Sequence, residues 1–409
     1  MKILIISYYA PPLNAIPAMR GFSLAKILAK NYEVHIITRR WSGNENTWEE
    51  MKESSEGEVE IKKLNKVFIH YLPYIKVDES NILPNKVRLV YDWFKGRYNK
   101  ETDTHQFYKY TKRLMELNDY KYLFATSTPL NIISLASKLS HQFKVPYIAD
   151  FRDLHNHLIL KKNKETNFKN KIELFFLKRY LRNNLKSSML VTAVNDPISS
   201  FIQKLIKNIP VEVVLNGFEA NLFDSLNKVN SPKFEITIIG TLYPAQNIDI
   251  LLYGFKRFIE KFNDNTIEFN FIGTASIPSI KAHIEKELPF HQVNITPKIK
   301  RKDALLKGKR ASVLFYAAWP GFKGVYSGKI FEYLGLKRNI LIAPGDNDVI
   351  DNLISETKSG KVANTSNEVY IILSKWYTEW IKNGKLQYNG VGIDKYTREN
   401  QYQKIVDYL

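Results

Sequence analysis

Two six-residue apolar runs, KILIIS at 2–7 and FEITII at 234–239, each lead into a loop, a helical stretch and another strand-like run. Continuous apolar strands of this kind are buried on both faces, the mark of a parallel sheet with helices covering each side. From Lys2–Ser7 the chain passes Pro11, Pro12 and Pro17, a helix expected over Ala18–Lys30 and a strand at Glu33–Thr38. Further short strands are expected at Tyr122–Thr126, Pro146–Ala149 and Met189–Ala193, with helices at Leu130–Phe143 and Phe168–Lys186. The pattern restarts at Phe234–Ile239. Gly240-Thr241 and a helix over Asn247–Phe262 follow, then Ile267–Ile272, Ala311–Phe315, a helix at 327–335 and Asn339–Ala343. Between the halves, polar 216–231 carries Asn-Gly and Ser-Pro and reads as a linker. The fold class is therefore α/β, with two doubly wound, Rossmann-like domains at 1–215 and 232–393 and a terminal helix over 394–409. Ligands of such sheets bind at the carboxyl ends of the strands, so a cleft between the domains is the expected site.

Length and composition agree. A chain of 409 residues is too long for one ordinary core. Its 44% apolar and 25% charged residues are those of a globular protein. There is no cysteine, which excludes disulfides, thiolate metal sites and cysteine nucleophiles. No apolar run approaches the roughly 18 residues of a membrane span, and the apolar start is too short for a signal peptide. The formal charge of +19 calls for an anionic partner.

The segment SGKIFEYLG, 327–335, puts Lys329 and Glu332 on one helix face, away from the stripe of Ile330, Phe331 and Leu334. The plain reading is an i,i+3 ion pair on a solvated helix. The sharper one is a nucleotide site. Ser327 would cap the helix, the free N–H groups at Gly328 and beyond would meet a diphosphate, and Lys329 would add a full positive charge. Glu332, one turn deeper, would accept from both hydroxyls of a ribose.

Five segments in order resemble one known family. YYAPPLNAIPAMR near the start, PYIADFRDL at 146–154, VEVVLNGFEANLF at 211–223, ITIIGTLYPAQNIDILLYGF at 236–255 and SGKIFEYLGLKRNILIA at 327–343 are similar to the GT-B glycosyltransferases. Within these, the chain looks like the large retaining GT4-like family, glycosyl transferases group 1. The last segment resembles that family's approximate Pro-x-Lys-[Leu/Ile]-Phe-Glu-Tyr-Leu-Ala pattern, with Lys329 at its lysine and Glu332 at its ribose-binding glutamate. The resemblance implies transfer of a sugar from a nucleotide-sugar donor to a glycan or lipid-linked acceptor, with retention, in bacterial surface polysaccharide synthesis. It implies that Gly240, Thr241, Ser327, Gly328, Lys329 and Glu332 bind the donor, and that the terminal helix crosses back to the first domain. Arg20, Lys329 and Glu332 would serve the reaction, Arg20 by stabilising leaving-group charge. Asn14, Ser127, Thr128, Asp150, Arg152 and Asp153 would line the acceptor side. The nucleotide sugar enters as co-substrate, and neither a cofactor nor a metal is expected.

Two departures stand out. The family often carries a glutamate eight residues before the ribose-binding one, and Gly324 stands there. The GTLYPAQN loop, with Gln246, lacks the basic pair that many members place on the diphosphate. That charge would fall to Lys329, helped by Lys323 or Arg20. In the first domain the plain alternative is that Arg152 and an aspartate form a structural ion pair, and that Arg20 is an ordinary residue on a solvated helix face.

Residues 159–188 hold nine lysines and arginines against two glutamates, interleaved with Phe175, Phe176 and leucines. This reads as a basic amphipathic stretch that docks on an anionic membrane surface, or else as a surface helix with one buried face. No nucleic-acid motif accompanies the charge. The expected location is the cytoplasm, against the inner face of the plasma membrane. Two alternatives share the fold: a nucleotide-sugar 2-epimerase, and a nucleotide-sugar-binding protein without turnover.

Overall fold

The computed structural model describes residues 1–13, 16–43, 55, 57–74, 104–154, 159–160, 168–226 and 231–409. The chain forms two compact units, one of 1–215 with 402–409 and one of 216–401.

The first unit runs β1 (Lys2–Ser7), α1 (Ile16–Leu28), β2 (Glu33–Arg39), β3 (Glu60–Leu64), β4 (Val67–Leu72), α2 (Thr104–Leu117) and β5 (Tyr120–Ser127). It continues through α3 (Asn131–Phe143), β6 (Tyr147–Phe151), α4 (Phe168–Leu185), β7 (Ser188–Ala193), α5 (Asp196–Gln203) and β8 (Val211–Val213). The strands form one sheet in the order β3-β4-β2-β1-β5-β6-β7-β8. β3 alone runs antiparallel. The central strands are the continuous apolar runs: Ile3, Leu4, Ile5 and Ile6 are fully buried. β3, EIKKL, is exposed throughout, and its charges protect a sheet edge from further pairing. α1 lies close on β1 because residue 21 is glycine: a Cβ there would stand 2.8 Å from Ser7 Oγ.

Beneath β2 and β4 lies a chain of polar rings. Tyr110 OH is 2.9 Å from His70 Nδ1, His70 Nε2 is 2.9 Å from His35 Nδ1, and His35 Nε2 is 3.1 Å from Glu33 Oε1. One consistent set of neutral tautomers satisfies it: Tyr110 donates to His70, His70 to His35, and His35 to Glu33. Burial, reinforced by the neighbouring His35, pushes His70 down to about 4.

The second unit runs α6 (Ala220–Asp224), β9 (Phe234–Ile239), α7 (Asp249–Phe262), β10 (Ile267–Ile272), α8 (Pro278–Glu287), β11 (Val293–Thr296) and α9 (Arg301–Arg310). Then come β12 (Val313–Tyr316), α10 (Gly328–Leu336), β13 (Asn339–Ile342), α11 (Val349–Thr357), β14 (Gly360–Val362) and α12 (Ser366–Asn383). The sheet, β11-β10-β9-β12-β13-β14, is parallel throughout. Its core is aromatic: Phe234, Phe255, Phe258, Phe269 and Phe315 are fully buried, each such side chain stabilising by about 1.5–3 kcal/mol. α12 starts with a capping box, in which Glu368 N–H donates to Thr365 Oγ1 and Thr365 N–H to Glu368 Oε2.

Two segments differ in detail from the sequence reading. The polar stretch after residue 215 is folded where it is described: it holds α6, and Phe218 and Phe223 are buried edge to face. The expected terminal helix is a 3-10 turn at Ile393–Tyr396 followed by α13 (Arg398–Val406). Tyr402 on α13 is buried in the first unit, its hydroxyl donating to Arg20 O at 3.2 Å. Among the described residues, no helix is long and apolar enough to cross a membrane.

Candidate functional site

In the second unit the residues singled out around 240 and 329 come together. β9 ends at Ile239, and Gly240 turns at φ +105. A Cβ at 240 would stand 2.5 Å from Lys329 Cε, and one at Gly273 would stand 3.3 Å from Gly240 Cα. Only two glycines permit this approach of backbone to backbone and to the lysine stem. Tyr333 anchors α10 on β9 by accepting Ile239 N–H at 2.8 Å. Ile330, Phe331 and Leu334 are buried as the stripe requires. The helix N-terminus at Gly328 is thereby held beside the Gly240-Thr241 turn.

Lys329 does not point into solvent, as a helix-face reading would have it. It is largely enclosed, and its Nζ donates to Thr241 O at 2.7 Å. Burial pushes its pKa down to about 8, with Glu332 opposing and Lys298 adding to the shift. Glu332 is half-buried. Its Oε1 accepts from Arg301 Nε at 3.0 Å and Nη2 at 2.7 Å, the head of α9. Lys298 and Arg301 were missed in the sequence. They stand in the run KIKRK, 298–302, whose density of charge was the available signal. Arg301 thus pairs with Glu332, and Lys329 and Lys298 stand near each other at a helix N-terminus, where a negative group is favoured.

Other expectations for this unit need correcting. Ser327 stands at the N-cap position, but its side chain makes no capping bond. Gln246 is buried, its Nε2 donating to Ala317 O at 2.7 Å and its Oε1 accepting Tyr243 N–H at 3.0 Å. It holds the loop's shape and cannot reach a ligand without breaking it. Lys323 is exposed. Gly324, where the resemblance would place a glutamate, donates its N–H to Asp348 Oδ2 at 2.8 Å. Tyr243 and Trp319 pack with ring centroids 5.5 Å apart beside the loop.

In the first unit, Ser127, Thr128, Asp150, Arg152 and Asp153 share the carboxyl ends of β5 and β6. Asn14 lies outside the described residues. Arg20 is not on a solvated face. It is 3% exposed and grips Asp150 with Nε at 2.8 Å and Nη2 at 2.6 Å. Thr192 Oγ1 donates to the same carboxylate at 2.6 Å. Arg20 was expected to serve the leaving group and Asp150 the acceptor; both are committed to each other instead. The structural ion pair foreseen for Arg152 is made by Arg20. Arg152 Nη2 donates to Thr128 Oγ1 at 2.6 Å, and Ser127 Oγ reaches Asp153 O at 3.4 Å.

α4 carries the basic stretch from Phe168 on; residues 161–167 lie outside the described ones. Leu177, Tyr180, Leu181 and Leu185 are buried. Phe168 and Phe175 instead point outward, 78% and 61% exposed, on the face of Lys171 and Arg182. No group of three metal-ligating residues occurs among the described residues.

No family model and no curated protein sequence matches this chain. Solved structures do. The Anabaena protein HepE, in complex with UDP, aligns over 100% of this chain and 99% of its own with a TM-score of 0.60 at 12% identity. Sucrose-phosphate synthase from Thermosynechococcus elongatus aligns over 100% and 94% at 0.57 and 12%. UDP-GlcNAc 2-epimerase from Methanocaldococcus jannaschii aligns over 100% of both chains at 0.55 and 12%. At such identity the likeness concerns the fold. This chain has the GT-B fold of the glycosyltransferases, built from two Rossmann-like units.

Proposed function

We propose that the chain is a glycosyltransferase that uses a nucleotide-sugar donor. The observation that carries the reading is the juxtaposition of Lys329, Glu332 and the Gly240-Thr241 turn at the head of α10. Lys329, Lys298 and Arg301 hold the donor diphosphate together with the N–H groups of Gly328 and its neighbours. Lys298 and Arg301 replace the basic pair that the GTLYPAQN loop lacks. Glu332 takes a ribose hydroxyl on Oε2 while Arg301 fixes Oε1. HepE's complex with UDP supports a uridine donor by analogy of fold.

In the transfer, the bond from the sugar's anomeric carbon to the diphosphate oxygen breaks and a bond to the acceptor oxygen forms. The acceptor's proton passes to the departing phosphate on the same face, which gives retention without a protein nucleophile. The cations named above stabilise the charge that develops on the leaving group, and no step calls on a metal. The exposed basic and aromatic face of α4 seats the protein on an anionic leaflet. That suits a lipid-linked acceptor, surface polysaccharide synthesis and a cytoplasmic location at the membrane.

The test is thermal stabilisation by a panel of UDP-, GDP-, ADP- and dTDP-sugars, comparing wild type with Glu332→Ala. One nucleotide should stabilise the wild type and not the variant. A wild type that responds to none would defeat the reading. The fold shared with a 2-epimerase gives a second reading. It is distinguished by incubating the responding nucleotide sugar alone: change of configuration at C2 without acceptor marks an epimerase.

A further inference from the structure

Two arginines and two aspartates meet at the carboxyl ends of β5 and β6, and their charges are shared unevenly. Asp150 is taken by Arg20 and Thr192. The Arg152 side chain is left with one hydrogen bond among the described residues, from Nη2 to Thr128 Oγ1, and no carboxylate at ion-pair distance. A guanidinium has five N–H donors, so four await an acceptor. Arg152 and Asp153 are both part-exposed, so the remaining donors reach accessible space.

The seat is rigid. Arg152 N–H donates to Ser127 O at 3.4 Å, and Ser127 Oγ to Asp153 O at 3.4 Å, lacing the two strand-end loops together. The half-buried cation is under-compensated. Burial lowers the Arg152 pKa, Arg20 adds to this, and Asp153, Tyr9 and Asp150 oppose it. Asp153, the next residue, makes no side-chain hydrogen bond or ion pair among the described residues. A cation with free donors thus stands beside a carboxylate with free acceptors. That combination suits a sugar that presents an oxyanion to one and a hydroxyl to the other, and the planar guanidinium fork matches a phosphate with two parallel bonds.

We infer that Arg152 is the phosphate-binding group of an acceptor subsite in the first unit, and that the acceptor is a phosphorylated sugar, either free or carried on a lipid. Asp153 receives a hydroxyl of the same sugar. The inference rests on the glycosyl-transfer reading, in which this unit takes the acceptor.

The experiment titrates two forms of the probe into protein saturated with UDP. One is a set of hexose 6-phosphates with the parent hexoses. The other is phosphatidylcholine vesicles with a prenyl phosphate, its charge matched by phosphatidylglycerol in the vesicles without it, so that the basic face of α4 contributes equally to both. Wild type should bind at least one phosphorylated form tenfold or more tightly than its control. Arg152→Ala should abolish that preference and Arg152→Lys keep part of it. A response to hexose phosphates alone identifies a soluble acceptor, and one to prenyl phosphate alone a lipid-linked one. Equal affinity for the phosphorylated forms and their controls overturns the inference, as does an Arg152→Ala variant that binds like wild type. Stabilisation of Arg152→Ala by UDP reports its folding. If UDP does not stabilise even wild type, the donor reading has failed; the same titration, comparing Arg152→Ala with wild type in a Lys329→Met background that removes one of the three donor-site cations, then still decides on Arg152.

Discussion

Arg20 and Asp150 in the first unit leave 2% and 4% of their side chains to solvent; Arg301 and Glu332 in the second leave 26% and 21%. Both pairs are arginine on carboxylate near the carboxyl end of a sheet. In the closed pair every carboxylate oxygen is used within the protein, and the pair fixes α1 against β6. In the open pair one oxygen of Glu332 stays available, and the local charge is two cations in excess of the pair once Lys298 and Lys329 are included. The same chemistry is sealed where water is excluded and leaves an acceptor open where it is not, which is what the proposed recognition role of Glu332 requires.

The sharpest way to break this comparison is to remove one carboxylate from each pair. Asp150→Ala strands a buried guanidinium and should cost about 3–5 kcal/mol of stability, read as a lowered unfolding midpoint in urea. Glu332→Ala should cost about 1 kcal/mol or less in the same assay, since a part-exposed pair contributes little. It should instead weaken nucleotide-sugar binding at least tenfold, about 1.4 kcal/mol. Equal losses of stability in the two variants would erase the distinction between the pairs.

A smaller effect follows from Lys329, whose pKa is held down at about 8 by burial. The unfolded chain, with an ordinary lysine, binds more protons between about pH 8 and 10.5. Stability of the ligand-free protein should therefore rise with pH across that window, relative to Lys329→Met. Nucleotide affinity should move the other way, falling above about pH 8 as the cation is lost, and calorimetric titration at pH 7 and 9 reads it.

An effect of similar size concerns the histidine chain, which lies in neither pair and serves as a control for acid sensitivity. With His70 near 4 in the fold and 6.5 when unfolded, the unfolded chain binds more protons between those values. Stability should fall as pH drops from about 6.5 towards 4. His70→Phe should flatten that slope in urea unfolding at pH 7 and 5 without altering the nucleotide response.

Much of this architecture was legible because parallel strands buried on both faces cannot be mistaken for an amphipathic surface. Phe234–Ile239 and Ile267–Ile272 have the bounds read from their residues. β3 was not legible, because an exposed edge strand of charged residues has no apolar alternation to betray it. β8 and β14, three residues each, are too short to carry a pattern. α9, RKDALLKGKR, hides its buried Ala304 and Leu305 among cations, and Arg301 was lost with it. At the candidate site, Lys329 and Glu332 were visible as neighbours on one helix. Their partners were not: Arg301 is 31 positions from Glu332, and Arg20 is 130 from Asp150. Periodicity speaks of what lies along one element, and these pairs are made by the winding of the sheet.

The close approach at residue 240 has a consequence for descent. A methyl group there would collide with the Lys329 stem at 2.5 Å, so the two positions share one small volume. An alanine at 240 would have to move the lysine off Thr241 O and also carry a φ of +105, so among homologues of this chain a change at 240 should go with a change at 329 and with some other source of positive charge at the head of α10.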